Sequence, residues 1–184
     1  MNRRLIMATV FGVGFLGLPI VVGLASRYAV PRDDDDDDDN DSGQQSLAQA
    51  LRYTRTTLQQ GLTASEELGQ PISGKFEVGN RKFQLSVYTS KGGKFSEVLV
   101  DLANGKVANV EPLTGADDLA NARTQSAAMT NAKRSLKQAV EKASGEMGGF
   151  RAVGVIPNLR DGHPVATVLL FKGNQPQLVN VMLD

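Results

Sequence analysis

The stretch FSEVLVDLANGKVANVEPL, residues 95–113, gives the clearest indication of the fold in this chain. Val98 and Val100 alternate with Glu97, Leu99 and Asp101, which is the period of a strand with one buried face. Asn104-Gly105 follows, and this pair is typical of the turn in a β-hairpin. Because a second apolar run begins at Val107, the stretch predicts a strand, a tight turn and a second strand.

The length of the turn sets the register of this hairpin. A two-residue loop would set valines opposite polar residues, whereas a three-residue loop ending at Gly105 sets Val98 opposite Val110 and Val100 opposite Ala108. The second register keeps one face apolar, so we expect it. It also predicts that Gly105 is left-handed, because glycine has no Cβ to clash at positive φ.

The residues before the hairpin predict a helix and more strands. Ser46-Leu47-Ala48-Gln49 matches a capping box, and leucines recur at helical spacing as far as Leu62, so we expect one helix over residues 46–62. Apolar residues alternate along residues 74–78 and 82–89, with turns expected at Gly79-Asn80 and Gly92-Gly93. The first half is therefore predicted to be a helix followed by an antiparallel meander of about four strands.

The residues after the hairpin predict the same order. A helix is expected over residues 118–144, with Gly145 ending it and with its first turns either continuous with the rest or separate. Its apolar stripe comprises Met129, Ala132, Leu136, Ala139, Val140 and Ala143. Three strands follow at residues 150–156, 165–171 and 178–183. Because these strands are apolar at nearly every position, we expect both of their faces to be covered.

The fold class expected is α+β, with two helix-plus-antiparallel-meander units. The expected organisation is an apolar N-terminal segment over residues 1–27, an Asp-rich linker over 28–45, a first unit over 46–113, and a second, degenerate unit over 114–184. The second unit ends where the first makes its Asn104-Gly105 turn, so the internal repeat is incomplete.

This layout resembles the PepSY family of bacterial extracytoplasmic domains. The resemblance rests on the helix, the strand over residues 82–89, the turn at Gly92-Gly93, and the run EVLVDLANGKV over residues 97–107. That run is similar to the ending "v-y-V-D-x-x-T-G-x-V" of the family, with Asn104 in place of the usual threonine. The resemblance implies a small α+β binding domain outside the cytoplasm that restrains peptidases.

The N-terminus predicts export. Arg3 and Arg4 precede an uncharged, mostly apolar run over residues 5–26, which is the pattern of a signal peptide or signal anchor. Cleavage after Ala25 and retention as an anchor in the inner membrane through residues 5–25 both fit the residues. The basic start favours a cytoplasmic N-terminus, with the rest of the chain in the periplasm.

Residues 33–41 contain eight aspartates, seven of them consecutive. Like charges repel and extend the chain, which predicts a disordered, solvated spacer. Loose binding of Ca²⁺ or another hard cation is the alternative. From residue 46 onward there are 16 Lys and Arg against 12 Asp and Glu, a charge of +4. This excess is too weak to predict a nucleic-acid partner.

The residues predict no reaction centre. The chain has no cysteine and one histidine, His163, in a turn-like stretch where we expect a surface position. Asp161 and the pair Asp117-Asp118 are the carboxylates considered for acid–base chemistry, and we expect them to be solvated. We therefore predict no enzyme activity, no catalytic, metal or cofactor-binding residue and no cofactor.

The function expected is that of a non-catalytic, exported or membrane-anchored domain that binds a protein or peptide through its sheet or sheet edge. Restraint of an envelope peptidase is the activity that the PepSY resemblance implies. The alternatives are a structural or regulatory envelope domain, and cation binding through the aspartate run.

Overall fold

The computed structural model describes residues 47–79 and 82–184. In these residues, helices α1, α2 and α3 run over Leu58–Ser65, Ala116–Thr130 and Leu136–Glu146. A further helical turn covers residues 47–51. The seven strands are β1 (Gln70–Gly79), β2 (Lys82–Lys91), β3 (Lys94–Val100), β4 (Val107–Pro112), β5 (Arg151–Arg160), β6 (His163–Lys172) and β7 (Gln175–Met182).

All seven strands form one antiparallel sheet in the order β4-β3-β2-β1-β5-β6-β7. This confirms the predicted α+β class and the antiparallel meanders. The two halves of the chain meet at a seam between β1 and β5, where Gly74 pairs with Val155 and Lys75 with Gly154. Strands β4 and β7 are therefore the two edges. The tandem of PepSY-like units stays a prediction.

Helices lie on both faces of the sheet. Adjacent strand residues point to opposite faces, so Gly74 and Ser73 distinguish the two. Gly74 faces Leu58 of α1, because a Cβ added there would lie 3.2 Å from that side chain. The Ser73 hydroxyl instead donates to the Gln125 side chain of α2, with 2.8 Å between the oxygens. We call these the α1 face and the α2 face.

The core on the α1 face is close-packed. Leu58 and Leu62 are fully buried, and so are Leu85 and Val87 beneath them on β2. Gly61 allows the helix to approach this closely, since a Cβ added there would lie 2.6 Å from the Leu85 side chain. Helix α3 packs on β5, β6 and β7 through a stripe of small and branched residues with zero or 1% exposure: Leu136, Ala139, Val140 and Ala143.

The prediction of one helix over residues 46–62 was wrong. Residues 52–57 leave the helix, and Thr57 begins α1 with a capping box of its own that includes Gln60. Tertiary contacts stabilise the break. The hydroxyls of Thr54 and Thr56 both donate to the carbonyl of Leu102, at 3.0 and 2.7 Å.

Arg151 holds the same segment from the other half of the chain. Its guanidinium donates to the carbonyl oxygens of Leu51, Thr54 and Thr56 at 2.6, 2.9 and 2.5 Å. It also lies over the Phe76 ring, 5.3 Å from the centroid. Burial lowers the pKa of Arg151. The carbonyl dipoles replace part of the hydration that the cation loses.

The second predicted helix is two helices. The break at residues 131–135 precedes α3, whose N-cap Ser135 forms a capping box with Gln138. The prediction that Gly145 ends this helix was also wrong, because α3 continues through it to Glu146. The positive φ that follows belongs to Gly149.

The register of the β3–β4 hairpin was predicted in part. Val98 pairs with Val110, and Gly105 has a φ of 72°, as expected. A bulge next to Leu99 sets Val100 opposite Val107 instead of Ala108. The turn is longer than three residues. The Asp101 amide donates to Lys106 and its carbonyl accepts from Gly105, while its carboxylate accepts from the Ala103 amide and the Asn104 side chain.

Predictions about the apolar segment, its cleavage site, the aspartate linker, the cap at Ser46 and the turn residue Asn80 lie outside the described residues. In the part of the chain that is described, no helix is both long and apolar enough to cross a membrane.

Candidate functional site

Strand β4 is an open sheet edge. All six of its residues are exposed, including Val107 and Val110 on the α1 face. The Leu113 amide donates inward to the Phe95 carbonyl. Because successive strand amides point to opposite sides, the Val110 amide points outward. Pro112 also takes an outward position, where its missing N–H costs no ladder hydrogen bond.

The opposite edge, at β7, is partly covered. The backbone amides of Lys133 and Arg134, in the connection between α2 and α3, donate to the carbonyl of Leu183 at 2.7 and 2.9 Å. The guanidinium of Arg134 donates to the carbonyl of Met182 at 3.3 Å. No comparable bond from another element reaches Val110 within the described residues. These bonds close the C-terminal end of β7, whereas strand β4 is exposed at all six positions.

A row of polar side chains leads across the α2 face to the β4 edge. Tyr88 of β2 pairs with Glu97 of β3, and Glu97 pairs with Glu111 of β4. The Tyr88 hydroxyl donates to the Glu97 carboxylate at 3.4 Å. We call Tyr88, Glu97 and Glu111 the acidic row.

A hydrogen-bonded network adjoins this row. The Ser86 hydroxyl and the Gln84 amide both donate to one oxygen of Glu77, at 3.0 and 2.9 Å. Lys75 forms an ion pair with the other oxygen at 2.7 Å. The network is partly buried, and its Ser86 side chain has 0% exposure. Because side chains alternate along a strand, the polar residues of β2 lie on the α2 face and its core residues on the α1 face.

Burial and neighbouring charge shift two pKa values in the acidic row. Burial raises the pKa of the Glu97 carboxyl, and the charge of Glu77 raises it further, against the hydrogen bond from Tyr88 and the charge of Lys75. Burial and nearby carboxylates also raise the pKa of Tyr88 above its usual value. Both shifts disfavour the charged forms of these side chains, and burial is the larger cause in each.

The side chains considered for catalysis lie in different places. The His163 ring nitrogen Nδ1 lies 2.7 Å from the Asp184 carboxylate at the exposed start of β6, and this hydrogen bond lowers the pKa of Asp184. Asp161 is in the preceding turn with a φ of 51°. Asp117 and Asp118 lie in the first turn of α2, and the charge of Asp118 reaches Tyr88.

Two shallow surface pockets lie away from the acidic row. One, of about 230 Å³, is at the junction of the three helices, beside Lys133, Arg134 and Lys137. The other, of about 340 Å³, lies between α1 and the β3–β4 turn. Within the described residues, no group of three His, Asp or Glu side chains is placed to hold a metal ion.

The residue pattern alone did not nominate the acidic row. The signal was present in the predicted register, because setting Val98 opposite Val110 also sets Glu97 opposite Glu111. The contribution of Tyr88 follows from the alternation of β2. No local sequence pattern indicated that α2 lies over the same face.

No family model and no curated protein matches this chain. Among solved structures, the chain matches a candidate lipoprotein from Clostridium difficile 630, at 14% sequence identity and a TM-score of 0.40. The similarity covers 65% of this chain and 80% of the other.

Proposed function

We propose that this chain is a non-catalytic module of the bacterial cell envelope that binds a protein or peptide by strand addition at the β4 edge. An extended segment that pairs with an open edge gains main-chain hydrogen bonds without a special side chain. The observation that carries the proposal is the exposure of all six β4 residues, with the Val110 amide pointing outward.

The proposal places the folded part outside the cytoplasm. The apolar segment at residues 5–26 would direct export, either as a membrane anchor or as a signal peptide cleaved after Ala25, and the aspartate linker would separate it from the sheet. An envelope peptidase is the first partner class to test, because the PepSY resemblance implies restraint of peptidases.

Proline substitutions at the two edges test the proposal. Val110→Pro removes an outward amide of β4 and costs no bond to β3. Leu178→Pro is the matched control on β7, because the inward bond of the Leu183 amide places the Leu178 amide outward as well. Circular dichroism establishes that both variants are folded.

Pull-down from the envelope fraction, with partners identified by mass spectrometry, compares the two variants with the wild type. We expect Val110→Pro to lose the bound partner and Leu178→Pro to keep it. Inhibition of the captured protein, where it is a peptidase, should follow the same order. Equal capture of the partner by the wild type and Val110→Pro would show that β4 is not the binding edge.

A further inference from the structure

The acidic row places two carboxyl groups side by side at the β4 edge. Glu97 and Glu111 are directly paired, and like charges opposite each other in a sheet are destabilising. The Glu111 carboxylate accepts a hydrogen bond from the neutral Asn109 amide at 2.8 Å. Lys75 forms an ion pair with Glu77 and its charge lowers the pKa of Glu97, whereas burial, the larger effect, raises that pKa.

The other face of the same edge is apolar. Val107 and Val110 are 38% and 41% exposed, although both belong to the face that α1 covers further inside the sheet. A partner strand would continue both surfaces at once, because its side chains alternate between the two faces. The edge therefore offers an acidic surface and an apolar surface within adjacent residues.

The direction of the Val110 amide gives the register of an added antiparallel strand. The partner residue opposite Val110 exchanges backbone hydrogen bonds with it, and its side chain lies on the apolar face. The preceding partner residue lies opposite Glu111 in a non-hydrogen-bonded pair, in which side chains are closest. Charge complementarity favours a cation at that position.

We propose that the strand bound at β4 is a basic, amphipathic segment, with Lys or Arg opposite Glu111 and an apolar side chain opposite Val110. This inference rests on the proposed function and specifies the chemistry of the partner. A cation in this position forms an ion pair with Glu111 across the edge. The apolar side chain removes exposed surface of Val110 from water.

Synthetic peptides test this chemistry directly. The probes are two eight-residue peptides with a terminal fluorophore, one alternating Lys and Val and the other alternating Glu and Val. Their binding to the folded protein is followed by fluorescence anisotropy at low ionic strength. We expect the Lys-Val peptide to bind about tenfold or more tightly than the Glu-Val peptide, since attraction is replaced by repulsion.

A charge reversal at the edge should reverse the preference. Glu111→Lys is expected to weaken binding of the Lys-Val peptide about tenfold and to strengthen binding of the Glu-Val peptide. The variant should fold, because a lysine there faces Glu97 in place of a like charge. Glu141→Lys makes the same charge change at an exposed position of α3 and should leave the order of the peptides unchanged.

The outcomes separate this inference from the proposed function. Equal binding of the two peptides, binding of neither, or an unchanged preference in Glu111→Lys would overturn the basic character of the partner. Such a result leaves strand addition standing if Val110→Pro still abolishes capture of the envelope partner. Loss of the Lys-Val preference in Glu141→Lys would also overturn the inference, because only net charge would then matter.

Discussion

Replacement of Arg151 by alanine is expected to lower the free energy of unfolding by about 3–4 kcal/mol. The guanidinium donates to three carbonyl oxygens, those of Leu51, Thr54 and Thr56. At about 1 kcal/mol net for each hydrogen bond, these contribute about 3 kcal/mol. The contact with the Phe76 ring adds about 0.5–1 kcal/mol.

Urea unfolding followed by circular dichroism measures this loss. Arg160→Ala is the matched control, since Arg160 ends the same strand and is exposed. The loss of stability in Arg151→Lys should fall between those of Arg151→Ala and Arg160→Ala. An ammonium keeps the charge but lacks the planar guanidinium that reaches several acceptors. Hydrogen exchange should show faster exchange of the amides of residues 51–57 in Arg151→Ala than in Arg160→Ala.

A loss in Arg151→Ala within about 0.5 kcal/mol of that in Arg160→Ala would refute the hydrogen-bond reasoning, because three bonds would then contribute almost nothing. Unchanged protection of residues 51–57 would refute it independently. The path of that segment would then depend on the bonds from Thr54 and Thr56 to Leu102.

The remaining predictions concern single residues, and urea unfolding measures each. Gly105→Ala should lower stability by about 1–2 kcal/mol, because its φ is 72° although the nearest atom to an added Cβ is 3.7 Å away. Gly145→Ala should raise stability by about 0.5–1 kcal/mol, since it is helical and has open space around it; a loss there would contradict the helix assignment. Ser135→Ala should cost about 1 kcal/mol by removing the cap of α3, and no loss would mean that the cap is replaced by water. The raised pKa of Glu97 means that the folded state holds its proton more tightly than the unfolded chain, so stability contributed by protonated Glu97 is lost as pH rises through its folded pKa. Glu97→Gln should therefore flatten the decline in stability with rising pH. Identical stability–pH profiles for the wild type and Glu97→Gln would contradict the raised pKa of Glu97.

The strands were predictable because their signals are local. Alternation in residues 82–89 and glycine turns at residues 92–93 and 105 depend on neighbouring residues alone, and the structure places strands and positive φ there. The Val98–Val110 pair followed from keeping one face apolar. The Glu97–Glu111 pair was implied by the same register.

The features that were missed depend on residues distant in the chain. The helix break at residues 52–57 is stabilised by Leu102 and Arg151, whose positions no local pattern reveals. Helix α2 has a weak apolar stripe and contacts the sheet partly through polar bonds such as Gln125 to Ser73. The pairing of β1 with β5 likewise has no signature in periodicity or turns.

The seam between β1 and β5 has a consequence for the order of folding. Every other strand pair joins neighbours in the chain, whereas the seam joins residue 74 to residue 155 and comprises two paired positions. Closing so long a loop costs entropy before the contact is gained, and such non-local pairings slow folding. We expect the two meanders to form early and the seam to close last, so that the rate of folding is set at the centre of the sheet and not at its edges.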